Sequence, residues 1–91
     1  MNRDEEIQSS VLFQLFRKQK WMANHIAYDK IKKWVIDSLK GDDGKETDKT
    51  LKQLIKEGLI IAKPTNYGLQ ISLNIELKEK IMERIKKFYP V

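Results

Sequence analysis

Residues 47–74, TDKTLKQLIKEGLIIAKPTNYGLQISLN, carry the pattern on which the fold turns. Leu51, Leu54 and Ile55 recur at helical spacing, while Lys49, Lys52 and Lys56 fall on the other side of the same helix. Gly58 follows at once, at the position where a helix end favours a residue able to turn left-handed. From Leu59-Ile60-Ile61 onward the residue types change to those that strands favour. Pro64 to Gly68 reads as a turn. Leu69, Ile71 and Leu73 then alternate with Gln70 and Ser72, as in a strand buried on one face.

Upstream, Gly41-Asp42-Asp43-Gly44 is the clearest break in the chain and sets the start of this helix, expected over 45–57. A second helix is expected over 28–39, with Ile31, Trp34 and Val35 on one face, and a first over 4–18, where Ile7, Val11, Leu12, Leu15 and Phe16 keep the helical period. Between them the period lapses, and His25-Ile26-Ala27 fits a very short strand. Downstream, Asn74 is a good N-cap for a last helix over 75–88, with Leu77, Ile81, Ile85 and Phe88 sharing a face. The expectation is a single mainly helical α+β domain spanning 1–91.

The 91 residues suit one compact core, and 41% hydrophobic content is enough to fold it. With no cysteine, disulfides, thiolate metal sites and thiol catalysis drop out together. No apolar run approaches the roughly 20 residues that span a bilayer. Asp4, Glu5 and Glu6 give the N-terminus the wrong charge for a secretory signal, so a cytoplasmic location is expected. The net charge of +5 is moderate, and its distribution says more than its total. Six basic residues and one acid, Asp29, lie between Arg17 and Lys33, against one basic and three acidic residues in the first sixteen.

The segment LKQLIKEGLI, Leu51 to Ile60, resembles the helix-glycine-strand ending of winged helix-turn-helix proteins. Lys63 to Asn74, KPTNYGLQISLN, is similar to small archaeal proteins of that class. The resemblance covers about residues 20–74, with the first and last helices as flanking additions. It implies a two- or three-stranded wing sheet over 59–73, an extra C-terminal helix, and a recognition helix over 45–57. The function it implies is double-stranded DNA binding, in transcription regulation or chromatin architecture. Winged helices also serve as protein- or RNA-interaction modules of larger complexes, which is the alternative expectation.

Three surfaces are candidates for nucleic acid. On the third helix, Lys45, Lys49, Lys52 and Lys56 would neutralise phosphates while Thr50 or Gln53 reach base edges. The other reading is a solvated face whose lysines are offset by Glu46, Asp48 and Glu57. In the wing, Lys63 is the one cation, and Tyr67 either stacks on sugar or base or folds back onto the core. The third surface combines Arg17, Lys18 and Lys20 beside Trp21 with Lys30, Lys32 and Lys33 of the second helix, suited to the DNA backbone. Trp34 is expected in the core. For the last helix, Leu77, Ile81, Met82, Ile85 and Phe88 form a stripe that either pairs two copies as a homodimer or packs on the first helix of the same chain.

No catalytic arrangement is recognisable. His25 is the only histidine, too few for a zinc site, and Asp42-Asp43-Gly44 lacks the spaced acids and closing glutamate of a calcium loop. No glycine-rich phosphate loop is present. The expectation is a non-enzymatic protein without cofactor, metal, small-molecule ligand or membrane partner.

Overall fold

The computed structural model describes residues 3–39 and 44–91. Among the described residues eight elements follow in order: α1 (Arg3–Arg17), β1 (Ile26–Ala27), α2 (Tyr28–Ser38), α3 (Lys45–Lys56), β2 (Ile60–Thr65), β3 (Gly68–Leu73), a 3-10 turn (Ile75–Leu77) and α4 (Lys78–Lys86). The fold is α+β, with four helices and a three-stranded antiparallel sheet. Gly41, Asp42 and Asp43 of the expected break lie outside the described residues. Among the described residues, no helix is long and apolar enough to cross a membrane.

α1 is the central helix. Acids at its first turn and Arg17 at its last complement the helix dipole. Ile7, Ser9, Ser10, Val11, Leu12 and Leu15 are all buried, so the helix is covered on several sides at once by α2, α3 and α4. Gln19 ends it in a left-handed conformation (φ 54°). Its N–H bonds the Phe16 carbonyl at 3.0 Å and that of Lys20 bonds Leu15 at 2.9 Å, the paired bonds of a Schellman cap.

α3 ends in the same way but with glycine in the left-handed position. Gly58 (φ 86°) bonds the Ile55 carbonyl at 3.1 Å and Leu59 bonds Leu54 at 3.1 Å, which turns the chain directly into β2. β3 is the middle strand of the order β1-β3-β2. Its pairing runs from Ile60↔Leu73 to Thr65↔Gly68, and Ile26↔Ile71 and Ala27↔Gln70 add β1 on the far side. The turn is thus Asn66-Tyr67 alone, shorter than the expected 64–68. Pro64 sits inside β2 because that strand is an edge, where a missing N–H leaves no ladder bond unmade in the middle of the sheet.

The last helix departs most from expectation. Asn74 does act as a cap, its Oδ1 accepting from the Glu76 N–H at 3.1 Å, but what it caps is the 3-10 turn. Leu77 leaves helical geometry (φ −109°, ψ 25°), and α4 begins only at Lys78, so the expected helix 75–88 is a turn plus nine α-helical residues. Ile81 and Ile85 are fully buried against the rest of the chain. The Ser9 hydroxyl donates to the Arg84 carbonyl at 2.5 Å, and Phe13 stacks on Tyr89 with centroids 4.2 Å apart. Leu77 and Met82 pack on the same core and Phe88 is half-buried. Ile81 and Ile85 of the stripe are therefore buried within their own chain, the packing of α4 on α1 that was the alternative to joining two copies, while Leu77, Met82 and Phe88 remain partly exposed.

Candidate nucleic-acid interface

α3 buries Thr47, Thr50, Leu51 and Leu54. At 100° per residue, Lys45, Lys49, Lys52 and Lys56 fall within about 60° of one another, opposite the centre of that buried face. All four are exposed, and with Asp48 and Gln53 they line one shallow open surface. At a rise of about 1.5 Å per residue the ridge extends roughly 16 Å. Thr50 has no place on it. Its side belongs to the buried set, only 2% of the residue is exposed, and its hydroxyl donates to Asp4 Oδ1 at 2.9 Å. The expectation that Thr50 reaches base edges is corrected: its contact is with α1. Gln53 stays exposed, on the flank facing α1 and α4.

The acids of α3 are sorted by the same rotation. Glu46 approaches Arg3 at 3.9 Å on the α1 flank. Glu57, just past the helix end, is gripped by Arg84 of α4 through two bonds of 3.0 and 3.2 Å, and Arg84 also reaches Gln8 at 3.0 Å. That forked contact holds the Glu57 carboxyl below its ordinary range, and it fastens the end of α3 to α4 and α1. Two of the three acids that were expected to offset the lysines are thus turned away from the ridge.

Asp48 is the exception. Its Oδ1 accepts the Tyr28 hydroxyl of α2, its Oδ2 lies 3.0 Å from Lys52 Nζ, and Lys32 Nζ stands 3.8 Å from Oδ1. The Tyr28 bond, then that of Lys52, keep the Asp48 carboxyl below the usual range. Burial, with Asp48 second, pushes the Tyr28 phenol well above its ordinary value. Lys49 and Lys56 make no ion pair among the described residues.

The hairpin presents Tyr67 at its tip, 95% exposed, which settles the open alternative against a ring folded onto the core. The tip is shaped by Thr65, whose hydroxyl donates to the Gly68 carbonyl at 2.7 Å and accepts the Tyr67 N–H at 3.2 Å. Lys63 is exposed on β2.

The remaining basic residues form a separate group. Lys32 and Ile36 face α3, whereas Lys30 and Trp34 lie on roughly the opposite side of α2 at 100° per residue. Trp34 packs partly into the core, and Lys18 from the end of α1 caps its ring at 4.2 Å. Arg17, Lys30 and Lys33 are exposed around this contact, and Lys20 donates to Asn24 at 3.4 Å. Trp21 packs edge-on against Phe16, 6.5 Å between centroids, and pairs with Leu73 beside the sheet. The expected contacts, Thr50 apart, are thus divided between an α3 ridge with Lys32 beside it, the hairpin, and a second patch where α1 ends on α2.

Sequence reasoning missed the Tyr28–Asp48 bond, which joins residues 20 positions apart. The Asp48–Lys52 pair carries a readable signal, its i,i+4 spacing. Among the described residues, no group of three His, Cys, Asp or Glu is placed to hold a metal ion. Comparison of the chain with protein-family models, curated proteins and solved structures finds no match.

Proposed function

We propose that this chain is a winged-helix protein that binds double-stranded DNA, with α3 laid along the major groove and the β2–β3 hairpin as its wing. The observation that carries this reading is the lysine ridge. Four cations stand opposite the buried face of a helix whose far end is fastened by Arg84, and two of its acids are drawn to the flank. Such a ridge is built to meet a line of phosphates. The element order and the sheet order β1-β3-β2, with a hairpin directly after α3, support the winged-helix assignment.

The chemistry of the ridge favours backbone binding over base reading. With Thr50 buried, Gln53 is the one neutral side chain of the exposed set suited to base edges, and lysines contact phosphates without regard to sequence. An architectural role follows more naturally than a site-specific switch. The test is fluorescence anisotropy with random-sequence duplex DNA and the triple variant K49A/K52A/K56A. Binding that falls at least tenfold in the variant is expected. An unchanged affinity removes α3 from the interface.

A second reading, a protein-interaction module, draws on one observation. Met22 and Ile75 are 40% and 44% exposed side by side, with the Ile75 N–H directed at Met22 Sδ at 3.4 Å. A protein partner retained after nuclease treatment, and lost on M22A/I75A substitution, would favour it.

A further inference from the structure

The lysine ridge contains one anion, and the fold goes to some length to keep it there. Asp48 is clamped between α2 and α3, with the buried Tyr28 hydroxyl on one oxygen and Lys52 at 3.0 Å on the other. Lys32 stands at 3.8 Å as a third contact. A carboxylate on a free side chain could swing away from an approaching phosphate. Asp48 cannot do so without abandoning the hydroxyl of Tyr28, a residue only 8% exposed.

We propose that Asp48 is a fixed counter-charge that restrains the binding of phosphate to this face. It occupies Lys52 of the ridge and Lys32 beside it, so that a duplex meeting this face finds Lys49 and Lys56 ready and Lys52 and Lys32 engaged. For a phosphate to capture Lys52, the lysine must leave Asp48 and expose a negative charge to the incoming one. The exchange gains little, because one anion replaces another on the same cation. Unrestricted attachment to any phosphate backbone is thereby held down, and what sequence or shape preference the face possesses counts for more against it. The inference rests on the DNA-binding reading of the same face.

Asp48→Asn is a clean probe. The amide oxygen still accepts the Tyr28 hydroxyl and the shape is kept, while the charge is lost and both lysines are released. On random-sequence duplex, D48N is expected to bind about three- to tenfold more tightly at low salt. Its affinity should also depend more steeply on salt, by about 1 to 2 in slope, because each added phosphate contact contributes about 0.9. E46Q, which removes a charge from the α1 flank instead, is the control and should gain less than about twofold. A third variant, D48N/K52Q, deletes the pair without changing net charge. It should bind between the parent and D48N, with a slope no flatter than the parent's, since Lys52 is not counted among the phosphate contacts and Lys32 stays released.

The outcomes separate cleanly. If the parent binds and D48N binds no better, or E46Q gains as much as D48N, the restraint is overturned while the DNA-binding reading stands. A slope flattened by about one in D48N/K52Q would show that Lys52 already holds a phosphate, and would overturn it independently. If neither parent nor D48N binds duplex at about 50 mM salt, a range where such contacts are strong, the DNA-binding reading fails and takes this inference with it.

Discussion

Two left-handed residues end two helices, and they differ in how well suited they are to the task. Gly58 adopts φ 86° without a Cβ to hinder it, whereas Gln19 adopts φ 54° with one. An added Cβ at Gly58 would meet Leu77 Cδ1 at an ordinary 3.8 Å, so the cost of Gly58→Ala is conformational, about 1 kcal/mol in a urea or thermal melt. Gln19→Gly should act in the opposite sense and stabilise by roughly 0.5–1 kcal/mol. A Q19G protein no more stable than the parent would mean that the Gln19 side chain contributes what its backbone loses. Tyr28 makes a prediction with a pH window. Its phenol is raised by burial and then by Asp48, so its contribution is complete below the ordinary tyrosine value of about 10 and is lost as pH rises past it. Asp48 is lowered, so its contribution is present above about pH 4 and lost as pH falls through and below that. Tyr28→Phe should therefore cost about 1 kcal/mol at neutral pH, with the gap from the parent narrowing at both ends of the scale. A gap that stays constant from pH 3 to 11 would contradict the coupling.

At the scale of elements, α4 makes the sharpest claim. Because Ile81 and Ile85 are fully buried against the chain's own core, replacing either by alanine should cost about 2–5 kcal/mol of unfolding free energy. A dimer stripe on the outside of a stable monomer would cost the monomer little, so the melt decides between the two arrangements. The order of the helices and the two longer strands was legible from their apolar spacing, and the two-residue β1 from the lapse of that spacing at His25-Ile26-Ala27. Where the reading went astray, a local rule was applied without its tertiary partner. Proline marked a turn at Pro64, but an edge strand accommodates it. Asn74 marked a helix start, but its cap closes a 3-10 turn first. Thr50 counted as polar and available, yet Thr47, Thr50, Leu51 and Leu54 share the i, i+3, i+4, i+7 spacing of a buried face, a signal present in the sequence and outweighed by residue type. The Tyr28–Asp48 bond left no such trace, since nothing local connects the start of α2 to the first turn of α3.

The whole molecule separates its charges by layer. α1 occupies the centre, its N-terminal acids lie toward α3 and α4, and the lysine ridge of α3 faces outward with the hairpin beyond its end. This arrangement explains how a net charge of only +5 yields a ridge on which Asp48 is the one anion: Glu46, Glu57 and Glu5 pair with cations across the seams between helices instead. The patch of Arg17, Lys18, Lys30 and Lys33 lies around Trp34, turned away from the side of α2 that faces α3, with Lys33 at its edge, and should contribute less to binding a single duplex. K30A/K33A is expected to lower affinity by less than half as much, in log units, as K49A/K56A. An equal loss would place both patches on one continuous DNA path.

The most direct test of the DNA-binding account is the salt dependence of the parent protein on random-sequence duplex, followed by anisotropy at about 50 and 200 mM salt. With about four phosphate contacts from Lys45, Lys49, Lys56 and Lys63, log affinity should fall against log salt with a slope of roughly −3 to −4, a loss of about a hundredfold across that range. Absence of binding at the lower concentration, or an affinity indifferent to salt, would contradict it.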